Sequence, residues 1–515
     1  MELVAALAAS MLRMFLAYLL SVLVALAAGI AMGRNEKVEK ILYPVIDVLQ
    51  SVPILGFFPI VIDIMVRALP EQYGIQLASI FLIFTSQAWN LILGVYANVK
   101  FIPSYVLEVA KIYKLSFLAR LLKIYIPASV PAIAKNSIIS WAGGLFFLVS
   151  SEIITMGSTN YMLEGIGTYI QLGLEAGNAE QIALGILSIV ILSIGVYVFI
   201  WNPFYSIVTQ TSSEENVMPM IGAPFRIFWR SSTKFWSSVS DALIIRLAAI
   251  SRKEYALSRK VRNWLKISLI SILLIAAVFF MQRISGKITF SMSSEKISLV
   301  LISALEGVSI SLLRVAIVLG IGTISVMFLS YLLYERKKLF RKLFILSGEF
   351  LSSVPASLWW PIFVALILRG FPPVLVSLFI IFQGAIWYIF FNIALTGIGP
   401  MEKNIMEMAK IYRIKGRYKF FRIFVPMLTP YVLSGMSSAW GGAWNATIVA
   451  EYAYLGTQVI SFFGIGYLIS SSTVSGDTTS LAIYVLTLTF LIVVFNRTFW
   501  AWLYSYGRKK YHVVD

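Results

Sequence analysis

Residues 107–127 read LEVAKIYKLSFLARLLKIYIP, and residues 406–426 read MEMAKIYRIKGRYKFFRIFVP. Both stretches are basic and have the apolar spacing of amphipathic helices, and both carry too many charges to cross a bilayer. They open an ungapped alignment of residues 107–157 with residues 406–456, which contains twelve identities separated by 299 positions. Because proline, tryptophan and glycine stay in register, the chain contains an internal repeat.

Long apolar runs surround the two stretches. Of the 515 residues, 59% are hydrophobic and 13% are charged, whereas soluble domains have about 45–50% apolar and about 25% charged residues. We therefore predict an all-α polytopic membrane protein with about eleven transmembrane helices. The predicted spans are Leu7 to Gly33, Val52 to Ala68, Ile75 to Tyr96, Ala128 to Ile153, Ile182 to Trp201, Trp264 to Met281, Val308 to Tyr334, Val354 to Leu368, Pro373 to Leu395, Met427 to Ala453, and Leu481 to Tyr504. We expect the first span to be retained, because it lacks the basic n-region of a cleavable signal.

The repeat divides the chain into domains. We predict a first repeat of five spans over residues 1–201 and a second repeat of five spans over residues 298–507. Residues 202–263 are predicted to form a cytosolic amphipathic linker, and residues 264–282 an extra span that restores the topology. Since six crossings then separate equivalent positions, the two repeats are predicted to be parallel and related by an axis along the membrane normal.

The positions of the cations predict the orientation. Of the 42 lysines and arginines, 32 fall in loops that share one side of the membrane if the N-terminus is outside. Cytoplasmic loops carry such an excess, so we predict a multi-pass protein of the prokaryotic cell (inner) membrane with a cytoplasmic C-terminus. The basic residues are spread over all the inside loops without a nucleic-acid-binding motif, so the net charge of +18 indicates contact with lipid and no nucleic-acid partner.

Several kinds of chemistry lack the residues that they need. Cysteine is absent and the single histidine is His512, so disulfides and metal sites built from cysteine or histidine are excluded. The sequence has no Gly-x-x-x-x-Gly-Lys-Ser/Thr phosphate loop and no evident nucleophile and base. We therefore predict a chain that is not an enzyme, with no catalytic residues, no metal and no cofactor of its own.

The two opening stretches resemble the coupling loop of ABC importer permeases. The consensus of that family runs Glu-Ala-Ala, three residues, Gly, nine residues, Ile-x-Leu-Pro, and Glu108 to Pro127 and Glu407 to Pro426 reproduce its spacing. The resemblance implies coupling loops at about 100–126 and about 400–425, each bound to an ATPase subunit. The residues implied to couple are Glu108, Ala110, Lys111, Ile112, Tyr113, Lys114, Pro127, Glu407, Ala409, Lys410, Ile411, Tyr412, Arg413 and Pro426.

The chain departs from the consensus at the second position, where Val109 and Met408 stand, and at the glycine, where Lys114 and Arg413 stand. Glycine is the residue that most easily adopts a left-handed turn. We therefore expect the turn between the two short helices of each loop to be built differently, with a shift toward Gly416 in the second copy.

Further motifs resemble one group within the family. Ser51-Val-Pro53 through Pro59, the small residue before Glu152 and Glu451, and the Gly-x-Gly pairs at Gly165 and Gly464 are similar to permeases of the nitrate, sulfonate, taurine and bicarbonate group. The resemblance implies a duplicated type I importer permease that carries a small anion. It also implies two cytosolic ATPase subunits, which use ATP and Mg, and an extracytoplasmic solute-binding protein as partners.

Polar residues within the spans are candidates for the solute path. Arg13 and Arg314 occupy matching places in the first span of each repeat, where they attract an anion, snorkel, or pair neighbouring helices. Gln87, Asn90, Gln383 and Asn392 in the third spans either line the path or bond neighbouring helices. We interpret Glu152 and Glu451, at the outer end of the fourth spans, as structural or gate residues.

Two other classes of protein remain as alternatives. An ion-coupled secondary transporter with parallel duplicated repeats requires carboxylates at mid-membrane, where Asp63 is the clear candidate and its counterpart is Ala365. The other class is a membrane enzyme or scaffold, and an enzyme should show a nucleophile, a base or a metal cluster, which the sequence does not suggest. An ABC importer permease accounts for more of the sequence than either.

Overall fold

The fold is that of a computed structural model, which describes residues 2–156, 159–208, 294–334, 344, 347–348, 351–352, 356–367, 369–393, 408–409, 411–455 and 458–511. The predicted extra span Trp264 to Met281 and the linker beyond residue 208 lie outside the described residues. Glu407 and Lys410 of the second coupling loop also lie outside them.

The described residues are mainly helical. In the first repeat the helices are α1 (Leu3–Arg34), α2 (Glu36–Ser51), α3 (Ile54–Ala68), α4 (Glu71–Lys100), α5 (Ser104–Ile112), α6 (Phe117–Arg120), α7 (Ile126–Glu152), α8 (Ile166–Glu175), α9 (Ala179–Val196) and α10 (Asn202–Val208). In the second repeat they are α11 (Ser294–Tyr334), α12 (Trp360–Ile367), α13 (Pro373–Phe391), α14 (Gly416–Lys419), α15 (Val425–Glu451), α16 (Ile465–Ser475), α17 (Thr478–Phe495) and α18 (Ala501–Tyr511). A 3-10 turn, Ala356–Trp359, precedes α12.

Many of these helices can cross a membrane. Among the described residues, seven helices are long and apolar enough to span, and an eighth span results if the bent pair α2 and α3 is counted as one. They correspond to eight of the eleven predicted spans. Of the other three, Val354 to Leu368 contains, among its described residues, the 3-10 turn and the short helix α12. Met427 to Ala453 coincides with α15, which is not among the seven helices, and the third lies outside the described residues. The multi-pass helical fold is therefore confirmed, and the count of eleven stays a prediction.

The second predicted span is one arm of a sharp bend. Helices α2 and α3 meet at 101° where Val52 and Pro53 interrupt the helical backbone. A residue before proline is driven toward extended conformation, and Val52 has φ −74° and ψ 129°. Helix α2 therefore ends before Pro53, and the chain changes direction there.

A π-helical turn leads into the fourth span of each repeat. These turns are Leu121–Tyr125 and Phe420–Phe424, which are followed by α7 and α15 with proline in the first turn. Proline has no N–H to donate to the carbonyl four residues back. The residue before Pro127 donates five residues back instead, from the Ile126 nitrogen to the Leu121 oxygen, and Val425 does the same to Phe420. In both repeats the π turn therefore lies directly before the helical turn that contains the proline of the motif.

Two short β-hairpins, which the sequence analysis did not predict, follow α7 and α15. Strand β1 (Ile153–Met156) pairs with β2 (Thr159–Met162), and β3 (Tyr452–Leu455) pairs with β4 (Gln458–Ser461), both antiparallel. Ile153 pairs with Met162, and Tyr452 pairs with Ser461. Strands of four residues next to long apolar helices give too weak an alternating pattern to be distinguished from the helix end.

The two repeats share one core. Helix α3 of the first repeat contacts α15, α16 and α17 of the second, and the 3-10 turn before α12 contacts α7 of the first. Apolar residues from both repeats, among them Ile62, Leu82 and Phe147 with Trp444 and Ile469, form one buried cluster. Each repeat therefore completes its packing with an element of the other.

Contacts at the hairpins relate the directions of the two repeats. Helix α16, which follows the hairpin at the end of α15, contacts strand β1 at the end of α7. The C-terminal ends of α7 and α15 therefore lie at the same end of the molecule. Because each coupling loop immediately precedes the N-terminal end of one of these helices, this geometry favours both loops lying at the opposite end.

Candidate functional site

The two predicted coupling loops present matching exposed apolar residues. Ile112 and Tyr113 are 75% and 76% exposed, and their counterparts Ile411 and Tyr412 are 75% and 71% exposed. Within the same turn of helix, Ala110 and Ala409 are 2% and 1% exposed. A helix with one small residue packed inward and large apolar residues outward is suited to seating in a groove of a partner.

The charged residues of the loops surround this apolar surface. Glu108, Lys111, Lys114 and Arg413 are exposed, whereas Pro127 and Pro426 lie in the first turn of α7 and α15. The structure thus separates the predicted coupling residues into a solvent-facing set and a pair of prolines that shape the helix behind it.

The turn after α5 corrects one expectation. Lys114 has φ 48° and Arg413 has φ 53°, so both adopt the left-handed conformation in spite of their side chains. The Leu115 nitrogen donates to the Ala110 oxygen at 3.0 Å and the Lys114 nitrogen to the Lys111 oxygen at 2.9 Å, which is the Schellman pattern. The expectation of a differently built turn is therefore wrong, because backbone hydrogen bonds hold the glycine-like geometry. Gly416, with φ 58°, adds a second left-handed residue and does not replace Arg413.

The first helix of each repeat braces its coupling loop. The Arg34 guanidinium at the end of α1 lies 5.0 Å from the ring centre of Phe117 and 5.1 Å from that of Tyr125. At the end of α11, Tyr331 instead packs edge-on against Phe420 and Phe424, each with ring centres 5.1 Å away. Different residues therefore support equivalent loops, by a cation–π contact in one repeat and by aromatic packing in the other.

A buried ion pair ties the N-terminal part of α1 to the C-terminal end of α7. An Arg13 guanidinium nitrogen lies 2.7 Å from Glu152 Oε1, and the Ser10 hydroxyl donates to the same oxygen. The Gly167 nitrogen donates to Glu152 Oε2 at 2.6 Å, and the Ile166 nitrogen donates to the Ser10 hydroxyl at 2.9 Å. The carboxylate, 0% exposed, therefore fastens the start of α8 to α1 and α7.

The second repeat contains the same arrangement. An Arg314 guanidinium nitrogen and the Ser311 hydroxyl donate to Glu451 Oε1 at 2.5 and 2.7 Å, and the Gly466 nitrogen donates to Oε2 at 2.8 Å. The Ile465 nitrogen donates to the Ser311 hydroxyl at 3.0 Å. Of the alternatives stated for Arg13 and Arg314, the structure therefore shows both charges paired between helices. We name the two clusters the outer clasps, after the side of the membrane on which the distribution of the cations predicts them.

In each outer clasp, a glycine leaves space for the buried carboxylate. A Cβ added to Gly165 would collide with the Glu152 carboxylate, and a Cβ added to Gly464 would collide with that of Glu451. The first glycine of each Gly-x-Gly pair therefore lets the backbone approach a buried carboxylate, while the third-position nitrogens of Gly167 and Gly466 bond to it.

The third-span amides have different surroundings. Gln87 is 0% exposed and neither amide atom has a hydrogen-bond partner among the described residues. Asn90 is half-buried. The amide nitrogen of Gln383 donates to the Leu351 oxygen at 2.6 Å, and that of Asn392 donates to the Tyr388 oxygen at 2.8 Å. Gln383 alone of the four lines the cavity described next.

A cavity lies where the two repeats meet. It has an empty volume of about 560 Å³, part of which is open to solvent. Its walls are Ile139, Ala142, Gly143, Phe146 and Phe147 from α7, and Ser352, Gln383, Gly384, Trp387, Tyr388, Phe391, Gly442 and Asn445 from the second repeat. None of these described lining residues is charged.

The sequence did not single out two residues that matter at this junction. Asn445 Oδ1 accepts a hydrogen bond from the Ile54 nitrogen at 2.7 Å, so an amide of the second repeat caps the start of α3 in the first. Tyr388 faces the first repeat across the cavity. No local motif marks either residue, because each acts on the opposite half of the chain.

Asp63, the carboxylate on which the ion-coupled alternative depended, is paired one turn along its own helix. Its Oδ1 accepts from the Arg67 Nε at 2.6 Å, and the two side chains are 26% and 39% exposed. The pair is local to α3 and does not reach the cavity lining.

Comparison with known proteins matches most of the chain to one family. The family described as "Binding-protein-dependent transport system inner membrane component" matches residues 21–210 and again residues 326–501. The two separate matches indicate a duplication within the chain.

Individual relatives match shorter stretches. The nitrate import permease protein NrtB of Leptolyngbya laminosa is 31% identical over 180 residues, which cover 35% of this chain and 60% of that protein. The bicarbonate transport system permease protein CmpB of Synechocystis is 30% identical over 115 residues, or 22% of this chain and 40% of that protein. The taurine transport system permease protein TauC of Escherichia coli is 27% identical over 181 residues, or 35% and 62%. The chain thus spans less than two thirds of the length of each.

Proposed function

The chain belongs to the family of binding-protein-dependent transport system inner membrane components, and we propose that it is the membrane-spanning subunit of an ATP-driven ABC importer for a small anion. In this proposal both permease halves are supplied by one chain, and the solute passes between them. The single observation that carries it is the pair of coupling loops, which repeat the same exposed isoleucine and tyrosine over the same buried alanine.

We further propose that each coupling loop seats on one cytosolic ATPase subunit. The exposed pairs Ile112 with Tyr113 and Ile411 with Tyr412 supply apolar contact, and removal of such side chains from water contributes about 1.5–3 kcal/mol each. The surrounding cations pair with acidic groups of the partner, at about 0–1 kcal/mol for each exposed pair. Apolar seating therefore dominates the affinity. The contact between α16 and β1 supports this arrangement, since it favours both loops at one end of the molecule.

We propose that the outer clasps stiffen the end of each repeat at which they lie. Each clasp joins the first span, the fourth span and the helix after the hairpin, and we propose that this end of each repeat therefore moves as one body. We propose that an extracytoplasmic solute-binding protein docks at this end, and that ATP-driven motion at the coupling loops is transmitted through α7 and α15 to the cavity. Arg13, Arg314, Glu152 and Glu451 are positioning residues in this scheme.

The proposed solute is a small anion. Nitrate, bicarbonate and taurine, the solutes in the names of the three relatives, each carry an oxyanion group. The neutral cavity between the repeats is the proposed place of passage. The proposed orientation, with the N-terminus outside and the coupling loops cytoplasmic, follows from the distribution of the cations.

Copurification with the ATPase tests the proposal. We expect an ATPase subunit to copurify with the unsubstituted chain. It should no longer copurify with the double variant Ile112→Ser with Ile411→Ser, because two apolar contacts are removed. The matched control, Lys111→Ala with Lys410→Ala, should retain most of the binding. Binding that survives the isoleucine changes, together with solute uptake that needs no ATP, would favour the ion-coupled carrier.

A further inference from the structure

The cavity between the repeats is not symmetric. Gly143 and Gly442 are equivalent residues, 299 positions apart, and both line it. Tyr388 stands between them, since a Cβ added to Gly442 would lie 2.7 Å from Tyr388 Cε2 and one added to Gly143 would lie 3.7 Å from the Tyr388 hydroxyl oxygen. One tyrosine therefore occupies the place where the halves meet.

The counterpart of Tyr388 lies elsewhere. The third spans align as FLIFTSQAW at residues 81–89 and FIIFQGAIW at residues 379–387, which makes Trp89 the counterpart of Trp387 and Asn90 that of Tyr388. Neither Trp89 nor Asn90 lines the cavity. The second repeat thus contributes its third span to the cavity and the first repeat does not.

The polar side chains of the cavity lining are also divided unequally between the two repeats. The described polar side chains of the lining, Ser352, Gln383, Trp387, Tyr388 and Asn445, all belong to the second repeat. The first repeat contributes only the apolar wall of α7, where Phe146 is the counterpart of Asn445. The amide nitrogens of Gln383 and Asn445 already donate to the backbone oxygens of Leu351 and Gly441.

Trp387, a residue of the cavity lining, carries a hydrogen-bond donor without a partner among the described residues. Its indole nitrogen is buried and has no acceptor among the described residues. Seven other indoles in the described part of the chain share that property, but only Trp387 lines the cavity. An indole N–H donates and never accepts, so a ligand that reaches this nitrogen must present an acceptor oxygen to it.

We infer that a small oxyanion in transit is bound by the second repeat alone, through the Trp387 indole N–H and the Tyr388 hydroxyl, against the apolar wall of α7. The inference rests on the proposed function. Two neutral donors recognise an anion without a cation, and the absence of a fixed charge from the described lining keeps binding weak enough for release.

The test uses the assembled transporter in proteoliposomes with nitrate, bicarbonate and taurine as separate probes. Trp387→Phe and Tyr388→Phe remove one donor each and keep an aromatic ring, and Trp89→Phe is the matched control from the equivalent position of the other repeat. We expect each second-repeat variant to lower solute uptake per ATP hydrolysed by about tenfold or more for at least one probe, as a hydrogen bond to a charged group is lost. Trp89→Phe should change that ratio by less than about twofold, because its indole lies outside the cavity lining.

The outcomes separate the inference from the proposed function. Equal uptake per ATP in Trp387→Phe, Tyr388→Phe and Trp89→Phe would overturn the inference and leave the importer intact. Failure of the unsubstituted complex to take up any of the three probes with ATP would overturn the proposed function, and the inference with it. Copurification of each variant with the ATPase subunit excludes misfolding, because an unfolded chain would not present the two coupling loops.

Discussion

At the scale of single residues, the outer clasps are the most consequential feature. Each brings a guanidinium, a hydroxyl and a backbone nitrogen to one carboxylate that is 0% exposed. A buried charge that loses its partner is strongly destabilising, by about 3–5 kcal/mol. The two clasps differ in one respect, since the side chain of Arg13 is 5% exposed and that of Arg314 is 14% exposed.

That difference gives a prediction. We expect Glu152→Ala to lower the free energy of unfolding by about 3–5 kcal/mol, because Arg13 stays buried without its partner. Glu451→Ala should lower the free energy of unfolding by less, since the Arg314 side chain is more exposed to water than that of Arg13. Thermal unfolding of the purified protein in detergent measures both. Asp63→Ala is the control, because its partly exposed pair with Arg67 contributes about 0–1 kcal/mol. Equal losses of unfolding free energy in all three variants would contradict the prediction that burial of the unpaired arginine sets the loss.

The residue scale also shows where sequence reasoning failed and why. The spacing of the motif predicted both coupling loops, which stay a prediction, but Lys114 and Arg413 in place of glycine suggested a different turn. A propensity describes the isolated residue, whereas the backbone bonds from Leu115 to Ala110 and from Ile414 to Ala409 hold the turn in the folded chain. Local hydrogen bonding therefore overrides the preference, at a cost of about 1–3 kcal/mol for each strained residue.

At the scale of elements, the repeats are related by compensating changes. In the first repeat, Gly94 on α4 makes room for Asn136 on α7. In the second, the positions are exchanged, and Gly435 on α15 makes room for Asn392 at the end of α13, whose Cβ lies 3.2 Å from a Cβ added to Gly435. The equivalent helix crossing thus contains one asparagine and one glycine in each repeat, but the two helices that carry them are exchanged.

This exchange predicts a rescue. Gly94→Asn alone should destabilise the protein by about 1–3 kcal/mol through overpacking against Asn136. Asn136→Gly alone should cost about 1 kcal/mol, because glycine weakens the helix. The double variant, which copies the second repeat, should recover most of the loss, with a coupling energy of about 0.5–3 kcal/mol in a double-mutant cycle of thermal unfolding.

The control for this cycle uses a glycine without neighbours. A Cβ added to Gly320 on α11 would meet nothing within 4 Å among the described residues, whereas one added to Gly94 would collide with the Asn136 amide. Gly320→Ala should therefore be neutral or slightly stabilising and Gly94→Ala destabilising. If the double variant is no more stable than Gly94→Asn, the two residues do not share a contact and the exchange is coincidental.

Long elements were easier to predict than short ones. Apolar runs of about 20 residues located α1, α4, α7, α9, α11, α13 and α17, because membrane thickness fixes their length and composition. The hairpins, the π turns and the bend at Pro53 were not predicted, since each depends on a few residues next to a strong helical signal. The contacts between repeats, such as Asn445 with Ile54, join positions that are far apart in the chain and leave no local pattern.

At the scale of the whole molecule, the relative direction of the two repeats decides how the protein works. Two coupling loops engage two ATPase subunits only if both loops lie on the same side of the membrane. The contact of α16 with β1 favours that arrangement, and the six crossings predicted between equivalent positions require it. An inverted duplication would place one loop on each side and leave one without an ATPase.

The absence of cysteine from the sequence makes the arrangement directly testable. We expect the single variants Tyr113→Cys and Tyr412→Cys to react with a membrane-impermeant maleimide only in inside-out vesicles, because both tyrosines are exposed on loops predicted to be cytoplasmic. Tyr73→Cys, 66% exposed near the start of α4, should react only from the opposite side. Addition of the ATPase should protect the thiols introduced at positions 113 and 412 alike and leave the thiol at position 73 reactive. Labelling of positions 113 and 412 from different sides would rule out parallel repeats, and with them the proposed coupling of one chain to two ATPase subunits.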